Sequence, residues 1–148
     1  MVYLGLLPED WGILNGSIRV QMGMFLFRMR NENILQDEFY EFKPYLYGPS
    51  SIEIYTDLST MAAEKLVKHI DCVQQHRYTI LEPKGTTLFK TLVNSAEPMD
   101  AVLIENLLAI KKWLKNLNFV EMLNYVYTNY PEYTLRKTAT AHTLESLV

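Results

Sequence analysis

The chain has 148 residues, a formal net charge of −3 and 49% apolar residues, enough to fill the core of one domain. No apolar run is long enough to cross a bilayer, and no basic segment precedes an apolar one at the start, so neither membrane association nor a secretory signal is expected. The single cysteine, Cys72, excludes an internal disulfide and is typical of a reducing compartment, which predicts a cytoplasmic protein.

The first strong pattern is a helix from Ser17 to about Arg30. Ser17 is a good N-cap, and apolar residues recur after it at helical spacing. The polar residues 31–37 predict a loop. Aromatic and polar residues then alternate over residues 39–45, and Pro44 disfavours helix before it. An extended segment is predicted there, with its aromatic side chains under the helix that follows.

The most explicit local signal lies between Tyr45 and Tyr55. Gly48 permits backbone angles that other residues avoid, and Pro49 fixes φ, so the pattern predicts a tight turn. Ser50 stands three residues before Glu53, which is the spacing of a capping box. The turn is therefore predicted to begin a capped helix.

That helix is predicted from about Ser51 to Lys68. Its apolar side is assigned to Ile52, Tyr55, Leu58, Ala62 and Leu66, so that Tyr55 becomes a core residue. The opposite face carries Glu53 and Asp57.

Two short strands are predicted between Cys72 and Leu81, joined by a tight turn around Gln75 and His76. Tyr78-Thr79-Ile80 favours β-structure, and Pro83-Lys84-Gly85 is predicted to end the strands. A helix followed by a hairpin and a further element is the order of a winged helix, in which the hairpin is the wing.

Three more helices are predicted, over Thr86–Asn94, Met99–Leu117 and Phe119–Tyr130. The last is capped by Asn118 and stopped by Pro131. The fold class is therefore mainly α: a single winged-helix-like helical domain over residues 1–133 with a small two-stranded β-hairpin wing. Residues 134–148 are predicted to be a flexible tail or a segment ordered on a partner.

The segment Phe42–Ser51, followed by Ile54–Leu58, resembles the signature of YwgA-like proteins. These are largely uncharacterised prokaryotic proteins with a winged-helix-like helical fold, and they are similar in turn to the Panacea domain of SocA-type antitoxins. Weaker matches are the first helix, the second wing strand and the C-terminal Asn129–Thr134. The resemblance implies this fold and a regulatory or antitoxin-like role exerted through protein contacts.

Two positions depart from the family pattern. Met22 stands where family members usually carry lysine after the first-helix Gln21, and Glu64–Val67 lacks the glycine that usually precedes the wing. The Met22 change argues against a function that needs a basic residue at that position.

Residue patterns for catalysis and metal binding are weak. His69, Cys72 and His76 form the one His/Cys cluster, and the simpler interpretation is a buried thiol beside two surface imidazoles. Glu53 is interpreted as a cap partner and Asp57 as a solvated carboxylate rather than as a catalytic pair. No Gly-rich phosphate loop or Gly-x-Ser-x-Gly elbow is present. We therefore expect no catalytic residues, no metal, no cofactor and no enzymatic activity.

The alternative function is that of a winged-helix DNA-binding transcription regulator. Its recognition helix would run from Ser51 to Lys68, with Lys65, Lys68 and Arg77 on phosphates. Two carboxylates in the first half of this helix would repel a polyanion, so nucleic acid is disfavoured.

The preferred hypothesis is a protein-interaction module that binds a toxin or a regulator. Aromatic residues are more numerous than a small core obviously needs, and they are favoured interface anchors. The residues assigned to partner binding are Tyr47, Ser51, Glu53 and Asp57. A homo-oligomer stays open at this point.

Overall fold

The computed structural model describes residues 16–35, 39–71 and 77–134. The predicted tail beyond Thr134, Cys72 and the predicted turn around Gln75 and His76 lie outside the described residues. In chain order the elements are α1 Gly16–Arg30, α2 Glu32–Leu35, β1 Lys43–Tyr45, β2 Gly48–Ser50, α3 Ile52–Ala63, β3 Val67–Asp71, β4 Arg77–Leu81, α4 Pro83–Asn94, α5 Pro98–Lys115, α6 Phe119–Asn129 and a 3-10 turn at Pro131–Tyr133. The predicted mainly helical domain with a small antiparallel hairpin is confirmed.

Helix α1 lies at the centre of the molecule. Its residues from Arg19 to Phe27 are all buried, and it contacts α5, β2 and β4. A helix buried on every side must also bury its polar residues with partners. Arg19 meets this need by donating to the carbonyl oxygens of Leu114 (3.1 Å) and Leu117 (2.9 Å), which caps the end of α5. Burial lowers the pKa of Arg19.

The extended aromatic segment forms a hairpin that the sequence did not predict. β1 pairs antiparallel with β2, from Lys43 opposite Ser50 to Tyr45 opposite Gly48. Gly48 has φ +116, and a Cβ there would stand 3.1 Å from the methyl carbon of Met22. The positive φ favours glycine at this position, whereas the flexible end of Met22 could give way to a Cβ. The turn lies at Leu46 and Tyr47, and Gly48 and Pro49, predicted to form it, belong to β2. Met22 is itself fully buried.

The predicted two-stranded antiparallel wing is confirmed, but its first strand is Val67–Asp71 and lies before the predicted Cys72–Leu81, and α3 ends at Ala63 and not at Lys68. The amide of Lys65 bonds to the carbonyl of Ala62, and that of Leu66 bonds to Met61, with Lys65 at φ 60. These two bonds form a Schellman motif, which stops a helix. Lysine here takes the left-handed conformation that glycine usually supplies, and the helix ends without a glycine.

β3 pairs antiparallel with β4 from Val67 opposite Leu81 to Asp71 opposite Arg77. Pro83-Lys84-Gly85, predicted to end the strands as a turn, instead forms the first turn of α4 because proline suits the first helical position. Gly85 lies directly against the backbone carbonyl of Leu66, with no room for a Cβ. This contact packs the start of α4 onto the end of α3.

The remaining helices follow the predictions closely. α5 and α6 are confirmed, and Asn118 and Glu121 form a full capping box. Helix α1 begins at Gly16, one residue before its predicted cap, and the predicted loop after it contains the short α2. Leu88 and Val93 of α4 are exposed. None of the helices in the described ranges has the length and apolar character to cross a bilayer.

Candidate protein-interaction surface

The N-terminal end of α3 is held by a buried side chain of α1. The Gln21 amide donates to the Ser51 carbonyl and accepts from the Ser51 N–H, both at 2.9 Å. Gln21 is 3% exposed and Ser51 is 2% exposed. Gln21 thus pairs with Ser51 as a neighbouring strand would, and it fixes the residue from which α3 begins.

The predicted Ser50–Glu53 capping box is wrong. Ser50 is the last residue of β2, and the N-cap is Ser51, whose side chain makes no cap bond. The two hydrogen bonds between the Gln21 side chain and the Ser51 backbone are called here the Gln21 clamp. Together with the β1–β2 hairpin, the clamp sets the backbone of this segment, and the capping geometry is lost. A sequence pattern four residues long contains no information about a partner thirty positions away.

Asp57 is held by a hydrogen bond, which corrects its assignment as a solvated carboxylate. The buried Tyr40 hydroxyl donates to Asp57, and Arg28 donates to the Tyr40 carbonyl. Burial, the bond to Asp57 and the negative charges of Asp57 and Glu53 raise the pKa of Tyr40. Asp57 therefore connects α3 to the segment before β1.

The apolar face of α3 differs from the predicted one. Ser51, Ile54, Leu58 and Met61 are buried at spacings of three, four and three residues. Ile52 and Tyr55, predicted to be core, lie one position away from this face, and Ile52 is 82% exposed. The clamp at Ser51 selects which of two overlapping apolar patterns is buried.

Exposed apolar residues gather around this end of the helix. Tyr45 is 60% exposed and Leu46 is 67% exposed on the hairpin, and Ile52 lies on the first turn of α3. The full set, called here the α3 apolar patch, is Tyr45, Leu46, Tyr47, Ile52 and Tyr55. The patch combines three tyrosines with two large aliphatic side chains.

A cleft of about 620 Å³, called here the α3 cleft, lies between the hairpin and the first turn of α3. Its charged lining residues are Lys43, Glu41 and Glu53, so the carboxylates outnumber the single cation. The lining residues are Glu41, Lys43, Pro44, Tyr45, Ser50, Ser51, Ile52, Glu53 and Tyr55. The cleft therefore offers an apolar floor beside a negative rim.

The structure brings together two of the four residues assigned to partner binding. Ser51 and Glu53 line the α3 cleft, and Tyr47 belongs to the α3 apolar patch with its ring edge-on to Phe119 at 6.3 Å. Asp57 lies outside the cleft lining and bonds to Tyr40. The sequence reasoning missed Tyr45, Ile52 and Tyr55 as surface residues. A helical spacing counted from Ser51 buries Ile54 and Leu58, and it would have predicted that Ile52 and Tyr55 are exposed.

The residues assigned to nucleic acid lie toward the other end of α3. Lys65 and Lys68 are exposed and line a shallow cleft of about 460 Å³, and Arg77 stands opposite Asp71 in the register of the wing. Lys84 approaches this end as well, donating to the Glu64 carbonyl at 3.1 Å. α3 has twelve residues, so its two ends are about 18 Å apart.

Three tyrosines near the end of the described chain, Tyr125, Tyr130 and Tyr133, are partly buried and pack against the core. Tyr130 and Tyr133 pack edge-on against Phe25, with ring centroids 5.1 and 4.7 Å away. Tyr125 packs against Trp113 at 4.6 Å. These contacts account for side chains that the composition alone could not place.

No group of three potential metal ligands occurs within the part of the chain that the structure describes, which omits Cys72 and His76. Comparisons with protein-family models, with curated proteins and with solved structures give no match for this chain. Function is therefore proposed from the geometry and from the motif resemblance.

Proposed function

We propose that this chain is a non-enzymatic protein-interaction module, an antitoxin-like or regulatory adaptor of the kind that the YwgA and Panacea resemblance implies. The observation that carries the proposal is the α3 apolar patch. Five large apolar side chains are exposed on the β1–β2 hairpin and the first turn of α3, and exposed apolar residues that cluster mark interaction sites more often than scattered ones do. Tyrosine is enriched among the residues that dominate binding energy at protein interfaces.

A rigid support lies beneath the patch. Gln21 fixes Ser51, Tyr40 holds Asp57, and Gly48 packs against Met22. A surface that is already ordered loses less conformational entropy when it binds a partner. The buried polar contacts thus support recognition by the exposed residues above them.

DNA binding is the second candidate, supported by the exposed Lys65 and Lys68. It ranks lower because the first turn of α3, which would enter a groove, carries Glu53 with Glu41 across the cleft. Carboxylates at that position oppose contact with phosphates.

The test is a capture experiment with the tagged full-length chain in extract of the cells that produce it. The variant is Ile52→Asp, and the matched control is Met99→Asp. Both replace an exposed apolar residue in the first turn of a helix, where the helix dipole stabilises an aspartate. We expect one stoichiometric protein partner with the wild type and with Met99→Asp, and loss of that partner with Ile52→Asp.

Retention of the same partner by Ile52→Asp would refute the proposal. Capture of nucleic acid without a protein, at a yield that falls steeply with salt, would favour the DNA-binding alternative instead.

A further inference from the structure

Three hydrogen-bond donors remain unused at the start of α3. Among the described residues, the Ser51 hydroxyl is buried without a partner, and the amides of Ile52 and Glu53 have no acceptor. The first amides of a helix have none within the helix itself. All three residues line the α3 cleft. The Ser51 hydroxyl oxygen is buried beneath the lining of the cleft, and a change of its side-chain rotamer would turn it toward an acceptor that arrives there.

The charges of the cleft decide what kind of acceptor fits. Glu41 and Glu53 outweigh Lys43, so a carboxylate or phosphate would meet net repulsion at the rim. A neutral carbonyl avoids this repulsion. The two carboxylates would in turn attract a Lys or Arg carried beside that carbonyl.

Strand addition to the hairpin is disfavoured. Pro44 and Pro49 stand opposite each other in the β1–β2 register, and proline has no N–H to donate to a further strand. Tyr45 already forms a parallel bridge with Thr134 on its other side. A segment that binds here must therefore be recognised by the helix end and by side chains.

We propose that the α3 cleft binds an extended peptide segment of the protein partner in which an apolar side chain lies next to a Lys or Arg. A backbone carbonyl of the segment accepts from the Ser51 hydroxyl and from one of the first two amides of α3. The apolar side chain packs on Tyr45, Ile52 and Tyr55, and the basic residue pairs with Glu41 or Glu53. The volume of the cleft lies in the range usual for small binding sites. The inference rests on the proposed function and names the partner chemistry.

The probe is a phage-displayed library of random nonapeptides, selected on the full-length chain with Ile52→Asp as the parallel control. We expect peptides enriched on the wild type alone to share an apolar residue within two positions of Lys or Arg. Enrichment of acidic peptides, or equal enrichment on Ile52→Asp, would overturn the inference.

Two substitutions test the contacts with the best enriched peptide. Ser51→Ala should weaken peptide binding about threefold to tenfold, which is the contribution of one hydrogen bond. The urea midpoint of unfolding should stay unchanged or rise, because the substitution removes a buried unpaired hydroxyl. Glu53→Gln should weaken binding about twofold to fivefold, whereas Glu105→Gln on the exposed face of α5 should not. Full affinity in Ser51→Ala, or a lower midpoint, would contradict the assigned role of the hydroxyl.

The two proposals fail differently. A partner that is captured by the wild type and lost with Ile52→Asp, while no peptide is enriched, would mean that a folded surface binds the patch. The proposed function would then stand and the peptide inference would fall.

Discussion

The terminal backbone groups at the two ends of α3 are held in different ways. At the C-terminal end the backbone supplies its own bonds, through the Lys65 and Leu66 amides and through the bond from the Glu82 amide to the Leu66 carbonyl. At the N-terminal end the backbone of Ser51 is held by Gln21 from another helix, and the first amides stay unused. We call the C-terminal end the closed end, because its backbone groups are bonded to other backbone groups. We call the N-terminal end the open end, because a side chain of another helix holds it and its first amides have no acceptor among the described residues.

This difference suggests which end is available for binding. Unused hydrogen-bond donors and exposed apolar side chains occur together at the N-terminal end. The C-terminal end instead carries exposed lysines, and its backbone hydrogen bonds are already made. Binding sites commonly leave local polar groups unsatisfied until a ligand arrives. Breaking either end should therefore have different consequences.

The largest effect is expected at the closed end. Gly85→Ala places a methyl group against the Leu66 carbonyl, which is backbone and cannot swing aside. We expect a loss of about 3 kcal/mol or more in the free energy of unfolding, measured by urea titration. Gly48→Ala should cost less, about 1–3 kcal/mol for its positive φ, because the flexible end of Met22 can move. A wild-type midpoint for Gly85→Ala would contradict the packing of α4 on α3.

Loss of the clamp is expected to destabilise the open end next most strongly. Gln21→Leu leaves the buried N–H of Ser51 without a partner and removes one of the two hydrogen bonds to its carbonyl, which should cost about 2–3 kcal/mol in urea titration. Ser51→Ala keeps the clamp because only backbone atoms of Ser51 take part in it. A similar loss in Ser51→Ala would show that the side chain, and not the clamp, stabilises this end.

Tyr40 offers a pH-dependent test of the same end. Tyr40→Phe removes the bond to Asp57 and should cost about 2 kcal/mol at neutral pH. Burial and Asp57 raise the pKa of Tyr40 above its ordinary value of 10.0, so the folded state retains a proton that the unfolded chain loses. The contribution is complete below about pH 9 and is lost progressively as the pH rises. Urea titrations across this range should show a shallower decline in Tyr40→Phe, and equal slopes would contradict the link.

The smallest effect has the opposite sign. Lys65→Gly relieves a left-handed lysine, so it should stabilise the protein by about 0.5–1 kcal/mol. Lys68→Gly, in β3, should destabilise it by about the same amount. Thermal unfolding of the two variants separates these effects, and a destabilised Lys65→Gly would contradict the helix end described here.

The sequence predicted elements better than contacts. Periodicity placed α1, α5 and α6, and the β-favouring Tyr78-Thr79-Ile80 placed the wing. It missed the β1–β2 hairpin because two strands of three residues carry little pattern. On the apolar face of α3 it placed Leu58 correctly but Ile52 and Tyr55 wrongly, because these two fit a helical stripe with Leu58 as well as Ile54 does.

The site residues were partly predictable for the same reason. Glu53 and Tyr47 follow from their place beside the Gly-Pro turn, whereas the burial of Ser51 depends on Gln21, thirty positions earlier in the chain. No local signal reports such a contact. The Tyr40–Asp57 bond likewise joins two segments that the sequence treats separately.

One measurement tests the contrast between the two ends directly. Ile52→Asp changes the open end and Lys68→Glu changes the lysine-bearing end, and each alters one exposed side chain. Titration of the captured partner onto both purified variants should show an affinity for Lys68→Glu close to that of the wild type and a loss of tenfold or more, roughly 1.4 kcal/mol, for Ile52→Asp. Loss of affinity in Lys68→Glu with full affinity in Ile52→Asp would contradict the account and place the binding surface at the other end of α3.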